Sequence, residues 1–367
     1  MRGAGRLSQG RGLAALEAEA PNLRAALRWL LEHGEVEASQ RLTGQLAEFW
    51  LRHSHIAEGE MWLERALAAD ADTPTAARVT ALVGLSMMQW QRRDLARAER
   101  LLDEAEAMAR TLGDAGALAY TRLHQGYVAL YREDFDLAAA RGEEVLSSCA
   151  AIPQGFSCHG ALWLLARAAL ARGQNDRAIA LYERLLASAR AEGDEVSIAN
   201  GLCALGMLAA QRDEWDRMVA CYAEAAMVCR AFGDRPFAGG RLDGAAAAAV
   251  ALGRLELAVR LYAAADVVRL AVGITHIPGD HHQVAPQDHE RALATARATL
   301  GPSRFAAMWA AGAALSLDEA IAEVSSLAHS VDAAARGDHV APTPRELVTP
   351  AGLTPASTMS CGCWPPG

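Results

Sequence analysis

Ala115–Ser148 reads AGALAYTRLHQGYVALYREDFDLAAARGEEVLSS, and the way it divides decides the fold. Ala115 to about Arg132 predicts one helix and Phe135 to about Ser148 a second, separated only by Glu133-Asp134. So short a break forces the two helices to run antiparallel as neighbours. Gly113-Asp114 stands just before the pair. Glycine ends a helix in the left-handed conformation, and aspartate caps the helix that follows.

The same punctuation recurs outward in both directions about every 40 residues, at Arg93-Asp94, Gln174-Asn175, Glu214-Trp215 and Arg254-Leu255, with Gly193-Asp194 and Gly233-Asp234 between pairs. Three columns of side chains keep that interval. One is small: Ser86, Gly126, Ala166, Gly206 and Ala246. The second is Ala98, Ala138, Ala178, Met218 and Ala258. The third is Trp62, Leu102, Tyr182, Tyr222 and Tyr262, with Gly142 as its exception. Small residues let paired backbones approach, and large ones fill the groove to the next pair. No single pair buries its apolar faces alone, so stacking supplies the core. The chain is therefore expected to be all-α, a right-handed alpha solenoid of helix hairpins.

Composition agrees. Residues are 52% hydrophobic but only 5% aromatic, and alanine and leucine outnumber the β-branched types. That mix favours helix, because alanine loses no side-chain entropy there and leucine little. A formal charge of -9 repels phosphate backbones, so nucleic acid is not an expected partner of this chain alone. No apolar run reaches the ~18 residues needed to span a bilayer, and no apolar stretch follows Arg2, Arg6 and Arg11 as in a signal peptide. The cysteines show no framework spacing, so Cys149, Cys158, Cys203, Cys221 and Cys229 are expected to be small buried hydrophobes in a cytoplasmic protein.

The twelve-residue spacing of Gly126 with Ala138, Ala166 with Ala178 and Ala246 with Ala258 resembles the tetratricopeptide repeat (TPR), with a period longer than the usual ~34. A second resemblance is more specific. Leu16 to Leu27 (LEAEAPNLRAAL), Phe49-Trp50-Leu51-Arg52, Trp62 to Leu67 (WLERAL), Leu261 to Ala265 (LYAAA), Glu290-Arg291-Ala292 and Leu317 to Ala320 (LDEA) resemble the sensor region of large MalT-like bacterial regulators. Those regulators join an ATPase module and a LuxR-type DNA-binding end to helical repeats. The resemblance implies a signal-sensing scaffold. No Walker-type loop occurs in the chain, and Thr343-Pro344-Arg345-Glu346-Leu347 looks like the start of a helix-turn-helix that Pro350 and Pro355 interrupt.

The organisation expected is a disordered tail over 1–12, the repeat array over 13–274, a loop over 275–287, capping helices over 288–328, and a disordered tail with the helix-turn-helix remnant over 329–367. Two helices, Leu13 to His33 and Glu37 to Arg52, open the array.

Catalysis has no positive sign. Cys158-His159 are sequence neighbours and so do not face each other on a helix. His276, His281, His282 and His289 read as a solvated loop, and Cys361 and Cys363 as an incidental tail, so no metal or cofactor is expected. Asp103, Glu104 and Glu106 read as a solvated face paired with Arg100 and Arg110.

In tetratricopeptide arrays the first helix of each pair lines the concave surface. That resemblance places Met87, Trp90, Tyr120, Tyr127, Trp163, Arg167, Asn200, Met207 and Asp243 in a groove for a protein, a peptide or a small inducer. A homo-oligomer is a further possibility for its partner. Aromatic and arginine side chains dominate binding energy at interfaces, and methionine adapts to varied ligands. Arg122 and Gln125 stand where leucine is expected, so the register there is looser.

Overall fold

The structure is a computed structural model that describes residues 16–52, 55–70, 73–149, 158–232, 235–271 and 286–335. All regular secondary structure among them is helical. In chain order the helices are α1 (Ala20–Glu32), α2 (Val36–Arg52), α3 (Ile56–Ala68), α4 (Ala76–Gln91), α5 (Leu95–Leu112), α6 (Ala115–Tyr131), α7 (Phe135–Ser148) and α8 (His159–Ala171). They continue with α9 (Asn175–Glu192), α10 (Glu195–Ala210), α11 (Trp215–Phe232), α12 (Arg235–Ala251), α13 (Leu255–Ala271), α14 (Pro286–Leu300), α15 (Pro302–Ala313) and α16 (Leu317–Ala335). They form two compact units, and the division between Leu185 and Leu186 falls inside α9.

Within each unit successive helices pack as antiparallel hairpins of the TPR kind. The three columns are buried throughout, from Ser86 to Ala246, from Ala98 to Ala258 and from Trp62 to Tyr262. Two glycines show why the first column is small. A methyl group on Gly126 would overlap Leu164, and one on Gly206 would lie 3.0 Å from the Tyr222 ring.

The turns explain the period. Arg93, Glu133, Gly173, Asp213 and Gly253 all take left-handed φ values, between 58° and 72°. Each ends the first helix of a hairpin. The following helix is capped by aspartate in two of these turns, where Asp94 accepts from the Arg97 amide and Asp134 from the Leu137 amide at 3.0 Å each. Between hairpins Gly113 and Gly193 are left-handed, and Asp114 and Asp194 cap the next helix by accepting from Ala117 at 2.9 Å and Ser197 at 3.1 Å. Gly233-Asp234 lie outside the described residues.

The first helix differs from expectation. A turn at Glu19 separates residues 16–18 from α1. Pro21 lies in the first turn of α1, where its missing N–H removes no hydrogen bond, whereas inside one long helix it would. In the second unit the last helices turn back: α15 packs on α13 and α16 on α11. Arg260 of α13 donates through Nε to both carboxylate oxygens of Glu323, at 3.1 Å each. Helix α14 starts at Pro286 and α16 runs to Ala335, both beyond the limits expected for the capping helices. The expected tail over 1–12 and residues 336–367, including Thr343–Leu347, Cys361 and Cys363, lie outside the described residues.

The cysteine expectation is corrected at one pair. Cys149 and Cys158 form a disulfide, with their Cα atoms 6.1 Å apart, whereas Cys203, Cys221 and Cys229 are buried as expected. Both bonded residues sit at helix ends flanking the α7–α8 connection, where the backbone brings them within bonding reach.

Candidate binding face

Helices α4, α6 and α8 are the first members of three successive hairpins in the first unit. Along α6, Tyr120, His124, Tyr127 and Tyr131 repeat at four, three and four residues, which puts them in one row on one side of the helix. The row makes continuous ring contacts. Tyr120 meets His124 edge-on at 4.7 Å, and His124 meets Tyr127 edge-on at 5.4 Å. Tyr127 lies parallel to Trp90 of α4 at 6.0 Å and edge-on to Trp163 of α8 at 5.6 Å. Tyr131 meets Trp90 edge-on at 4.8 Å. A cation stands at each end: Arg167 5.7 Å over the Trp163 ring, and Arg93 6.0 Å over Tyr131.

The row is recessed. Tyr120, Tyr127, Tyr131, Trp163 and Arg167 all retain partial access to solvent. Burial nevertheless pushes the Tyr120 and Tyr127 hydroxyls above the usual phenol range, with the Glu48 charge adding to it. Burial likewise drives His124 down to about 4 against the opposing pull of Glu48, so its imidazole is neutral at pH 7. Tyr182 lies beneath the Arg167 end; burial pushes it up to about 12, with the Arg167 charge opposing. The Trp90 indole N–H is enclosed without a hydrogen-bond acceptor. A buried donor left unpaired costs about 1–3 kcal/mol.

A polar network on the other side of α6 fixes the rotation of the row. Glu106 of α5 is buried and accepts from Arg122 Nε at 3.1 Å, Gln125 Nε2 at 3.2 Å and Arg110 at 2.7 Å. Arg141 of α7 lies 3.7 Å from it and 2.8 Å from Glu144. Burial acts to raise Glu106, but the Gln125 and Arg122 hydrogen bonds and the Arg141 and Arg110 charges outweigh it and hold the carboxyl below its usual range. This corrects the surface assignment of Glu106 and accounts for Arg122 and Gln125 at positions expected to be leucine. Glu104 stays exposed, as expected, but its partner is the buried Arg78 of α4, at 2.8 Å.

Five of the expected groove residues, Trp90, Tyr120, Tyr127, Trp163 and Arg167, are therefore brought together. Met87 is not among them. It is 2% exposed and belongs to the core, because α4 from Ala81 to Trp90 is buried on every side. His124 and Tyr131 were missed by sequence reasoning, although their four-residue spacing from Tyr120 and Tyr127 was a usable signal.

Asn200, Met207 and Asp243 belong to the second unit. Asn200 Oδ1 accepts from Arg241 at 3.2 Å, and Arg241 is itself 1% exposed. Asp243 is 6% exposed and pairs with Arg269, which also pairs with Asp266. His289 Nδ1 lies 3.8 Å from Asp243, and its ring meets Tyr262 edge-on at 4.4 Å. Burial first, and the Arg269 charge second, lower its pKa. This cluster ties α12, α13 and α14 together, which takes Asp243 out of an open groove and His289 out of a solvated loop. Met207 is half-buried. His276, His281 and His282 lie outside the described residues. Among the described residues no single helix is long and apolar enough to cross a membrane.

No family profile matches the chain. A stretch of 114 residues is 32% identical to HTH-type transcriptional regulators, as they are named, of Mycobacterium tuberculosis and Mycobacterium bovis. The match covers 29% of this chain, and the chain spans only 13% of the length of those relatives. Among solved structures, a Signal Transduction ATPase with Numerous Domains with a tetratricopeptide repeat sensor, from Pyrococcus horikoshii, aligns with a TM-score of 0.56 at 16% identity, over 88% of this chain and 48% of that one. The Rap protein complexed with Competence and Sporulation Factor aligns with a TM-score of 0.50 at 12% identity, over 86% of this chain and 99% of the other. At such identities the likeness is one of fold, and the fold is that of TPR-like helical repeats.

Proposed function

We propose that this chain is a non-catalytic recognition scaffold that holds a peptide or protein segment against the aromatic row of its first unit. One observation carries the proposal: the unbroken ring contact Trp90–Tyr127–Trp163 across three successive hairpins, ended by Arg167. Packing alone does not require that so many rings remain open to solvent. Rings give area at little entropic cost, and Arg167 supplies donors for a ligand's carbonyl or carboxylate oxygens. Within this proposal the chain takes the part of a sensor in a multi-domain transcription regulator, with ATPase and DNA-binding functions residing elsewhere. The partial match to named transcriptional regulators and the fold of the STAND sensor support that placement. The complex of the Rap protein supports a peptide as the ligand class.

A random-peptide phage library panned on the full chain tests this. Selected peptides should lose about tenfold in affinity or more on Trp163→Ala, Tyr127→Ala and Arg167→Ala, by isothermal titration. Exposed Trp29→Ala serves as the control and should change nothing. Peptides that bind all four variants equally would remove the row from the site.

A further inference from the structure

Cys149 follows the last residue of α7, Cys158 precedes the first residue of α8, and their disulfide spans nine positions of sequence. Both are half-buried, whereas Cys203, Cys221 and Cys229 are buried. Burial pushes the Cys221 thiol up to about 11, which keeps it protonated and unreactive. Of the described cysteines, the bonded pair is therefore the one open to a dissolved thiol.

The bridge sits where it acts on the aromatic row. The Cys158 carbonyl accepts the Leu162 amide at 3.1 Å, so the bonded residue is part of the first turn of α8. Two residues on, Gly160 packs so closely on α6 that a methyl group there would lie 2.8 Å from both Leu123 and the Tyr127 hydroxyl. Trp163 and Arg167 follow on the same helix. The start of α8 is thus held from two sides, by a covalent link to α7 and by contact with the central tyrosine of the row.

We propose that Cys149–Cys158 is a reversible thiol–disulfide switch that controls the order of the first turns of α8, and through them the Trp163–Arg167 end of the binding face. A dithiol reductant opens it. Its thiolate attacks one of the two sulfurs; the Cys149–Cys158 bond breaks as a mixed disulfide forms, and the released cysteine takes a proton. The reductant's second thiol then displaces the remaining cysteine. Both cysteines end as thiols and the reductant as its disulfide, with two electrons and two protons transferred. Oxidised glutathione closes the bridge by the reverse exchange and leaves as two reduced molecules. Closure of so short a loop restrains the chain locally, and helix ends are where local opening is easiest. Control over recognition rests on the function proposed above; the pairing and the response of α8 do not.

Hydrogen exchange read by mass spectrometry on the full chain, oxidised or treated with dithiothreitol, decides the matter. Iodoacetamide should modify Cys149 and Cys158 only after reduction. Amides of residues 160–165 should then exchange about fivefold faster or more, while those of α4 stay unchanged. The double variant C149S/C158S should show the faster rate with and without dithiothreitol, and C203S should behave as wild type. Library peptides selected on the oxidised chain should bind the reduced chain about threefold more weakly or worse. Equal exchange in the two states, or ready alkylation of both cysteines without reductant, overturns the switch. If exchange responds and no peptide is ever captured, the switch stands and the proposed binding function falls. If a peptide binds both states equally, the control of recognition falls.

Discussion

His124 is the residue whose environment has the plainest energetic signature. Folding lowers its pKa from 6.5 to about 4, so the native state binds fewer protons than the unfolded chain as the solution is acidified. Its stabilising effect is complete above about pH 6.5 and is lost as the pH falls towards about 4; the difference amounts to roughly 3 kcal/mol. Urea titrations of wild type and His124→Gln should diverge over that window, with the variant the less sensitive to acid. Parallel curves would mean the imidazole is charged or solvated. Glu106 acts lower on the scale. Because its folded pKa is depressed, its contribution is present above about pH 4.5 and lost on further acidification. Glu106→Leu strands Arg122 and Gln125 and should cost about 2–4 kcal/mol in urea unfolding at pH 7. A cost below about 1 kcal/mol would show those groups to be satisfied by water. At this scale the sequence was legible for rings and blind to partners. Tyr120, Tyr127 and Trp163 announced themselves by type. The polar residues of the Glu106 network looked like surface because nothing local says that residues 16 and 19 positions apart will meet.

Helices and turns were the most legible level. Helix composition, Gly-Asp punctuation and short breaks each depend on near neighbours in sequence, and α2, α6 and α7 begin and end within a residue of where they put them. Two departures have separate causes. Pro21 broke the first helix through a rule of backbone chemistry that the apolar pattern concealed. Met87 was assigned to a surface because amphipathic reasoning presumes an exposed side, and α4 has none over its last two and a half turns. The left-handed turn positions went unnoticed because three of the five, Arg93, Glu133 and Asp213, are not glycine. At these sites a side chain costs about 1 kcal/mol, partly offset by the greater freedom glycine has when unfolded. Glu133→Gly and Asp213→Gly should each raise stability by roughly 0.5 kcal/mol, additively, in urea titration. Lower stability in either would point to a tertiary role for that side chain. The α7–α8 link gives a larger effect: by its loop size, C149S/C158S should lose about 2–3 kcal/mol relative to the oxidised chain, and nothing relative to the reduced one.

At the scale of the molecule, periodicity supplied the fold, because side chains of matching size at a constant interval require hairpins that stack alike. It did not supply the return of α15 and α16 onto α13 and α11. Those contacts join residues tens of positions apart and involve no repeat. Net charge sets a prediction here. With -9 overall, the chain should not retard duplex DNA in a gel shift even at about 50 mM salt, where phosphate contacts are strongest. Retardation that disappears with residues 340–367 would restore a DNA-binding role to the remnant near Thr343.

Hairpins this similar face a hazard during folding, since any one can dock against the wrong copy of its neighbour. Shape alone discriminates poorly when the contact columns hold side chains of similar size in most copies. The carboxylate of Glu106, met by Arg122 and Gln125 of α6 and by Arg141 of α7, works as an address label: another helix docked in the place of α6 would enclose that anion without Arg122 and Gln125. A cost of several kcal/mol attaches to such a mistake, and very little to the correct assembly. Glu106→Leu is therefore expected to refold more slowly and to aggregate more than its loss of stability alone explains, because it erases the label while leaving the apolar surfaces to find one another.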